Sequence, residues 1–194
     1  KMSFFENTRK PVGLGGKLMV AMMNLGHSPV ARWGLQFLNA APDAKVLDCG
    51  CGGGANIKRL LKKYPQGIVK GIDYSPVSVE KTKKVNETAI AEGRCAVLQG
   101  SVADMIFVDD WFDAVTAFET VYFWPDLLQC FREVCRVLKP GGTLLICNES
   151  NGDTDKDKKW TEIIGGMTIC KDAELKTYLE QAGFHEVQIH KKKS

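Results

Sequence analysis

From Lys45 onward the chain alternates two kinds of hydrophobic pattern. Short apolar or β-branched runs predict buried strands: Val46-Leu47-Asp48-Cys49, Ile68-Val69-Lys70-Gly71-Ile72, Ala96-Val97-Leu98, Ala114-Val115-Thr116-Ala117-Phe118 and Thr143-Leu144-Leu145-Ile146-Cys147. Between them the apolar positions recur at helical spacing. Ile57, Leu60, Leu61 and Tyr64 share one face of a helix predicted over 55–64. Ser75-Pro76 supplies a cap and a first-turn proline for a helix over 76–92. Leu127, Leu128, Phe131, Val134, Cys135 and Leu138 form the stripe of a helix over 126–138, opened by Asp126 and stopped by Lys139-Pro140-Gly141-Gly142. A last helix is expected over 172–182.

Strands that alternate with helices imply an α/β fold: a doubly wound, mostly parallel sheet with helices on both faces. The first 42 residues read differently. Leu18, Met19, Ala21, Met22, Met23 and Leu25 predict one helix, and Val30 to Leu38 another, together a short helical cap over the loop end of the sheet. The expected organisation is therefore one domain over 1–194, with the cap at 1–42 and the core at 43–194. Asn151 to Lys159 is polar and reads as an exposed loop.

Composition narrows the class without naming a chemistry. A chain of 194 residues with 44% hydrophobic positions can bury a core without disulfides or metal. Its 26 basic and 23 acidic residues balance to +3, too even for a nucleic-acid surface. Lys191-Lys192-Lys193 reads as a solvated tail. No apolar run approaches the ~18 residues of a membrane span, and Lys1-Met2-Ser3-Phe4-Phe5-Glu6 lacks the order of a signal peptide. The seven cysteines sit mostly inside apolar stretches, as expected of reduced core residues in a cytoplasmic protein. Cys49-x-Cys51 and Cys130-x4-Cys135 lack histidine at ligand spacing, so no metal is expected.

The informative segment is Asp48-Cys49-Gly50-Cys51-Gly52-Gly53-Gly54, a strand end that runs through a glycine-rich turn into a helix. Such a turn lets backbone approach a ligand closely, and the helix start offers unpaired N–H groups. Asp73 ends the second strand, where a carboxylate can accept hydrogen bonds from ribose hydroxyls. Asp48 is unsuited to a phosphate, which it would repel. It suits a ligand that carries an amino group and a positive charge.

These segments resemble the class I (Rossmann-like) S-adenosylmethionine-dependent methyltransferases, in their small ubiquinone/menaquinone-biosynthesis-like branch. Asp48 to Gly54 is similar to the family's acid-x-Gly-x-Gly-x-Gly loop, and Gly71-Ile72-Asp73-Tyr74-Ser75 to its second-strand acid. Phe112-Asp113-Ala114-Val115 resembles its fourth-strand opening, and Arg136-Val137-Leu138-Lys139-Pro140-Gly141-Gly142 its turn before the fifth strand. The resemblance implies S-adenosylmethionine as cofactor, S-adenosylhomocysteine as product and a small-molecule methyl acceptor. It places Gly50 and Gly52 under the methionine part, Asp48 at its amino group, Asp73 on the ribose and Tyr74 beside the adenine. Ser101 stands where the family often has an acid for the adenine amino group, so Ser101 or Asp104 takes that contact, with the Val102 backbone at the adenine edge. The Phe118 main chain falls near the methionine amino group.

Methyl transfer from a sulfonium needs proximity and alignment, with a base only when the nucleophile arrives protonated. Glu119 and Tyr122, after the fourth strand, are the catalytic candidates; Trp124 is a wall candidate and His27 a further possible base. A nicotinamide-dependent oxidoreductase on a related fold, or a cofactor-binding protein without turnover, stay open as alternatives. Without an extra substrate domain or a basic groove, a small acceptor is expected rather than nucleic acid or a membrane. The atom methylated and the choice between monomer and homodimer are open. The family usually ends with two antiparallel strands; here Phe184 to His190 is expected to supply one, and either the last is missing or the sheet edge is finished otherwise.

Overall fold

The computed structural model describes residues 28–148 and 171–191. The 18–25 helix, His27, the 151–159 loop and Cys170 lie outside the described residues. Five strands, β1 (Lys45–Cys49), β2 (Ile68–Asp73), β3 (Cys95–Gln99), β4 (Phe112–Phe118) and β5 (Leu138–Cys147), form one sheet in the order β3-β2-β1-β4-β5. Every neighbouring pair is parallel, with Asp48 opposite Gly71 on one side and Thr116 on the other. The order reverses at β1, so the crevice beyond its carboxyl end lies between β1 and its neighbours, where ligands bind in such sheets.

Two apolar layers cover the sheet. On one face, α1 (Ser28–Gly34), α2 (Ala55–Lys63) and α3 (Pro76–Val85) pack through Ala31, Ile57, Leu60 and Val79 onto Val46, Val69 and Ala114. On the other, α5 (Leu127–Val137) sets Cys130, Val134 and Val137 against Leu47, Ile72 and Val115. The last helix, α6 (Asp172–Ala182), rests through Leu179 on Phe131 and Ala117. Asp126 caps α5 by accepting from the Gln129 N–H at 3.1 Å, and Ser75 caps α3 ahead of Pro76.

Four expectations change, the first being that Leu138 and the turn expected at Lys139-Pro140-Gly141-Gly142 belong to β5, which begins directly after α5. The helix expected over 76–92 breaks at Asn86 (φ −114°, ψ 24°) and restarts as α4 (Glu87–Ala91). The segment Val30 to Leu38 is α1 followed by a 3₁₀ turn over Leu35–Phe37. Phe184 to His190 forms no strand. Glu186 there adopts a positive φ of 55°, which breaks an extended run. His190 instead stacks on Phe37 at 4.1 Å, and Lys191 pairs with Asp172. No helix among the described residues is long and apolar enough to cross a membrane.

The connection from β3 to β4 is held by Arg136 on α5. Its guanidinium donates to the Phe107 and Met105 carbonyls at 2.7 and 3.0 Å and pairs with Asp109 and Glu133. This fork lets the chain sink Met105 and Phe107 into the core while Ile106 and Val108 stay exposed. Arg136→Ala is expected to cost about 1–2 kcal/mol in chemical denaturation. Arg136→Lys should rescue only part of it, because an ammonium cannot reproduce the planar fork.

Candidate functional site

The glycine-rich turn bends back at once after β1. Gly50 and Cys51 both donate their N–H groups to the Ile72 carbonyl, at 2.7 and 3.2 Å. Gly50 has φ +69°, and a Cβ there would run into the Thr120 hydroxyl. Gly54 has φ +86° and lies against the backbone of α3, where a Cβ would come within 2.8 Å of the Thr82 Cα. Both positions need glycine for conformation and for space.

Asp48 is almost completely buried, 1% exposed, and its Oδ1 accepts from the Thr116 hydroxyl at 2.8 Å. Burial raises its pKa from 3.8 to about 7; the Thr116 hydrogen bond works against the rise and the Asp73 charge adds to it. Asp73 closes β2 with Oδ2 accepting from the Gly52 N–H at 3.1 Å and Oδ1 from the Ser75 N–H at 2.9 Å. Burial lifts Asp73 to about 6 in spite of those two bonds. Among the described residues, neither carboxylate forms an ion pair with a basic side chain. One buried and one partly buried acid beside a glycine cradle suit a ligand with a cationic end and a ribose, so the residues fit S-adenosylmethionine.

The other expected residues divide. Tyr74 is partly buried, and its carbonyl accepts from the Gln99 amide at 3.2 Å. Ser101 turns the chain after β3, its Oγ accepting from the Ala103 N–H at 3.2 Å, while Asp104 is exposed. Val102 places its side chain in the core behind them. Phe118 is buried against the core that includes Ala31 and Leu35. Glu119 follows it with φ +52°, 7% exposed, its N–H donating to the Cys147 carbonyl at 2.8 Å. A buried acid held in the left-handed region costs energy and is typical of functional positions. Tyr122 is buried in the 3₁₀ turn Val121–Phe123. Trp124 packs edge-on against Phe131 and serves the core.

His185 and His190 are exposed, away from the turn. Burial pushes the Cys49 and Cys51 thiols well above their ordinary pKa, and Cys147 to about 12, so these cysteines are neutral packing groups.

Several residues at the site escape the motifs. Thr116 and Thr120 touch Asp48 and Gly50 from β4 and the turn after it. Asn148, after β5, buries an Oδ1 that has no hydrogen-bond partner among the described residues. Ser78, Thr82 and Asn86 are buried polar residues four apart on one helical face. That stripe was visible in the sequence as a signal of polar work under α3.

A methyltransferase-domain family model matches residues 40–188. The chain is 30% identical over 164 residues to the cycloartenol-C-24-methyltransferase of Arabidopsis thaliana, covering 77% of this chain and 47% of that protein. It is 35% identical over 149 residues to the sterol 24-C-methyltransferase of Aspergillus fumigatus, covering 72% and 39%. The chain thus spans less than half the length of these relatives. Its fold matches a chain described as a methyltransferase, solved with the Haloferax volcanii Trm112 activator, with TM-score 0.84, 24% identity and coverage of 97% and 79%. It also matches the geranyl diphosphate C-methyltransferase of Streptomyces coelicolor, with TM-score 0.72, 18% identity and coverage of 89% and 67%.

The buried acid makes a stability prediction. A carboxyl whose folded pKa is raised binds more protons folded than unfolded, so its contribution to stability falls as pH rises from 3.8 towards about 7. The wild type should therefore lose stability relative to Asp48→Asn across that window and level off above it, as followed by melting temperature at stepped pH.

Proposed function

The chain belongs to the class I S-adenosylmethionine-dependent methyltransferases, and on that premise we propose that it methylates a small, largely apolar acceptor of isoprenoid kind. The observation that supports the cofactor side of this reading is the pair of buried Asp48 and partly buried Asp73 around a glycine turn, without a basic partner among the described residues. Family membership sets aside the nicotinamide-dependent oxidoreductase reading. When bound, S-adenosylmethionine supplies an electrophilic methyl group on a positively charged sulfur.

In this reading Asp48 takes the amino group of the methionine part, and Gly50 and Gly52 offer a surface without side chains beneath it. Asp73 accepts the ribose hydroxyls, because each of its oxygens keeps a lone pair after its backbone bond. Tyr74 lies beside the adenine, Ser101 and the Val102 backbone read its edge, and the Phe118 main chain closes the methionine end. Glu119 and Tyr122 face the acceptor. Glu119 stabilises positive charge that develops there, or takes the proton that an acceptor loses on methylation.

The acceptor class draws on the relatives, whose names specify sterols, a phytyl hydroquinone and geranyl diphosphate. The aromatic turn at Tyr122 and Phe123 suits an apolar body. The Asn148 Oδ1, without a hydrogen-bond partner among the described residues, suits a single hydroxyl on it. A cytoplasmic setting fits the six free cysteines of the described residues.

The test is incubation with methyl-labelled S-adenosylmethionine and a panel of a sterol, a prenylated hydroquinone and an allylic diphosphate. S-adenosylhomocysteine and a labelled organic product should appear with at least one acceptor. Glu119→Gln should lower turnover about 100-fold with cofactor affinity kept. Cofactor binding without product from any member would favour a cofactor-binding protein without turnover.

A further inference from the structure

Helix α3 buries polar side chains where its amphipathic pattern calls for apolar ones. Ser78 belongs to the cap, its N–H donating to the Ser75 hydroxyl at 3.4 Å. Thr82 and Asn86, fully buried at 0% and 4% exposure, serve the glycine-rich turn instead. The Thr82 hydroxyl donates to the Gly52 carbonyl at 2.8 Å. The Asn86 amide donates to the Gly54 carbonyl at 3.1 Å and to the Thr82 carbonyl at 3.0 Å.

Gly52 is thereby pinned from two directions. The peptide before it donates to Asp73, and the peptide after it accepts from Thr82. Two residues on, Asn86 holds the last carbonyl of the turn as α2 begins. Gly50, Gly52 and Gly54 all have positive φ, at 69°, 54° and 86°. Glycine loses more backbone freedom on ordering than any other residue, so a turn of this kind left untethered would be ordered only at the cost of binding energy. Asn86 itself leaves helical geometry, and the helix breaks at that residue.

We infer that Thr82 and Asn86 are positioning residues for the cofactor: they hold the glycine-rich turn in its binding shape before the ligand arrives. This inference rests on the turn being the S-adenosylmethionine site. Thr82 is the sharper probe, since valine keeps its branched shape and removes only the donor. Gly52 then loses a hydrogen bond in a buried setting, and its φ is no longer held from the α3 side.

The test pairs calorimetric titration with S-adenosylmethionine and amide hydrogen exchange of the ligand-free protein, on wild type, Thr82→Val and Thr82→Ser. Thr82→Val should bind about 10-fold more weakly, a change of ~1.4 kcal/mol. The Gly52 to Gly54 amides should exchange faster in the ligand-free variant, and Thr82→Ser should restore both. In turnover, the loss should fall on the cofactor KM rather than on kcat. Should Thr82→Val fail to fold, Thr82→Ala carries the same comparison against Thr82→Ser. Equal affinity and exchange in wild type and the donor-less variant would overturn the inference, as would a loss in kcat with unchanged cofactor affinity. Failure of the wild type to bind would overturn the cofactor reading itself, and the inference with it.

Discussion

Asp48, out of water, and Asp73, partly buried beside it, are the constraint around which the rest of this structure is arranged. Burying an ionised acid without a cation is costly, and the protein offsets it only in part: one hydroxyl for Asp48, two backbone N–H groups for Asp73. Both acids are pushed towards neutral pH as a result, to about 7 and about 6. In the reading proposed above, a ligand with positive charge and hydroxyl donors supplies the remaining compensation. That requirement, more than the presence of glycines, distinguishes this turn from one built for phosphate.

The fold delivers both acids to one place by simple means. Parallel pairing sets Asp48 opposite Gly71, so the ends of β1 and β2 stay level and Asp73 lies close to the turn that follows Asp48. Gly71 has no side chain to fend off Ile57 and Cys51, which lets α2 and the turn sit down on β2. At the far side of the site, β4 brings Thr116 beside Asp48 and then turns sharply through Glu119, whose positive φ is held by the end of β5. In the proposed reading, β1, β2 and α3 supply the cofactor side, and β4 and β5 the acceptor side.

Much of this was legible in the amino-acid sequence because it depends on local pattern. The five strands and the helices between them follow from period and punctuation, and α6 spans the residues its pattern implied. Asp48, the glycines and Asp73 are adjacent to strand ends that pattern also locates. What escaped depends on contacts between distant residues. Thr116 reads as an ordinary strand residue until β4 is placed beside β1, 68 positions away. Asn86 reads as a helix interior position until its amide meets Gly54, and that contact coincides with the helix break that the pattern missed. Phe184 to His190 has strand-like alternation, but Glu186 takes a positive φ and the segment packs by side chains instead.

If a cationic ligand shifts desolvated, partly protonated acids to their charged form, binding must expel protons. Calorimetric titration of S-adenosylmethionine near pH 6.5, repeated in buffers of different ionisation enthalpy, measures that number directly. Net proton release on binding, shrinking as pH rises above the range of Asp48 and Asp73 and diminished in Asp48→Asn, is the predicted result. Binding of the cofactor with no proton release at pH 6.5, equal in wild type and Asp48→Asn, would contradict the account.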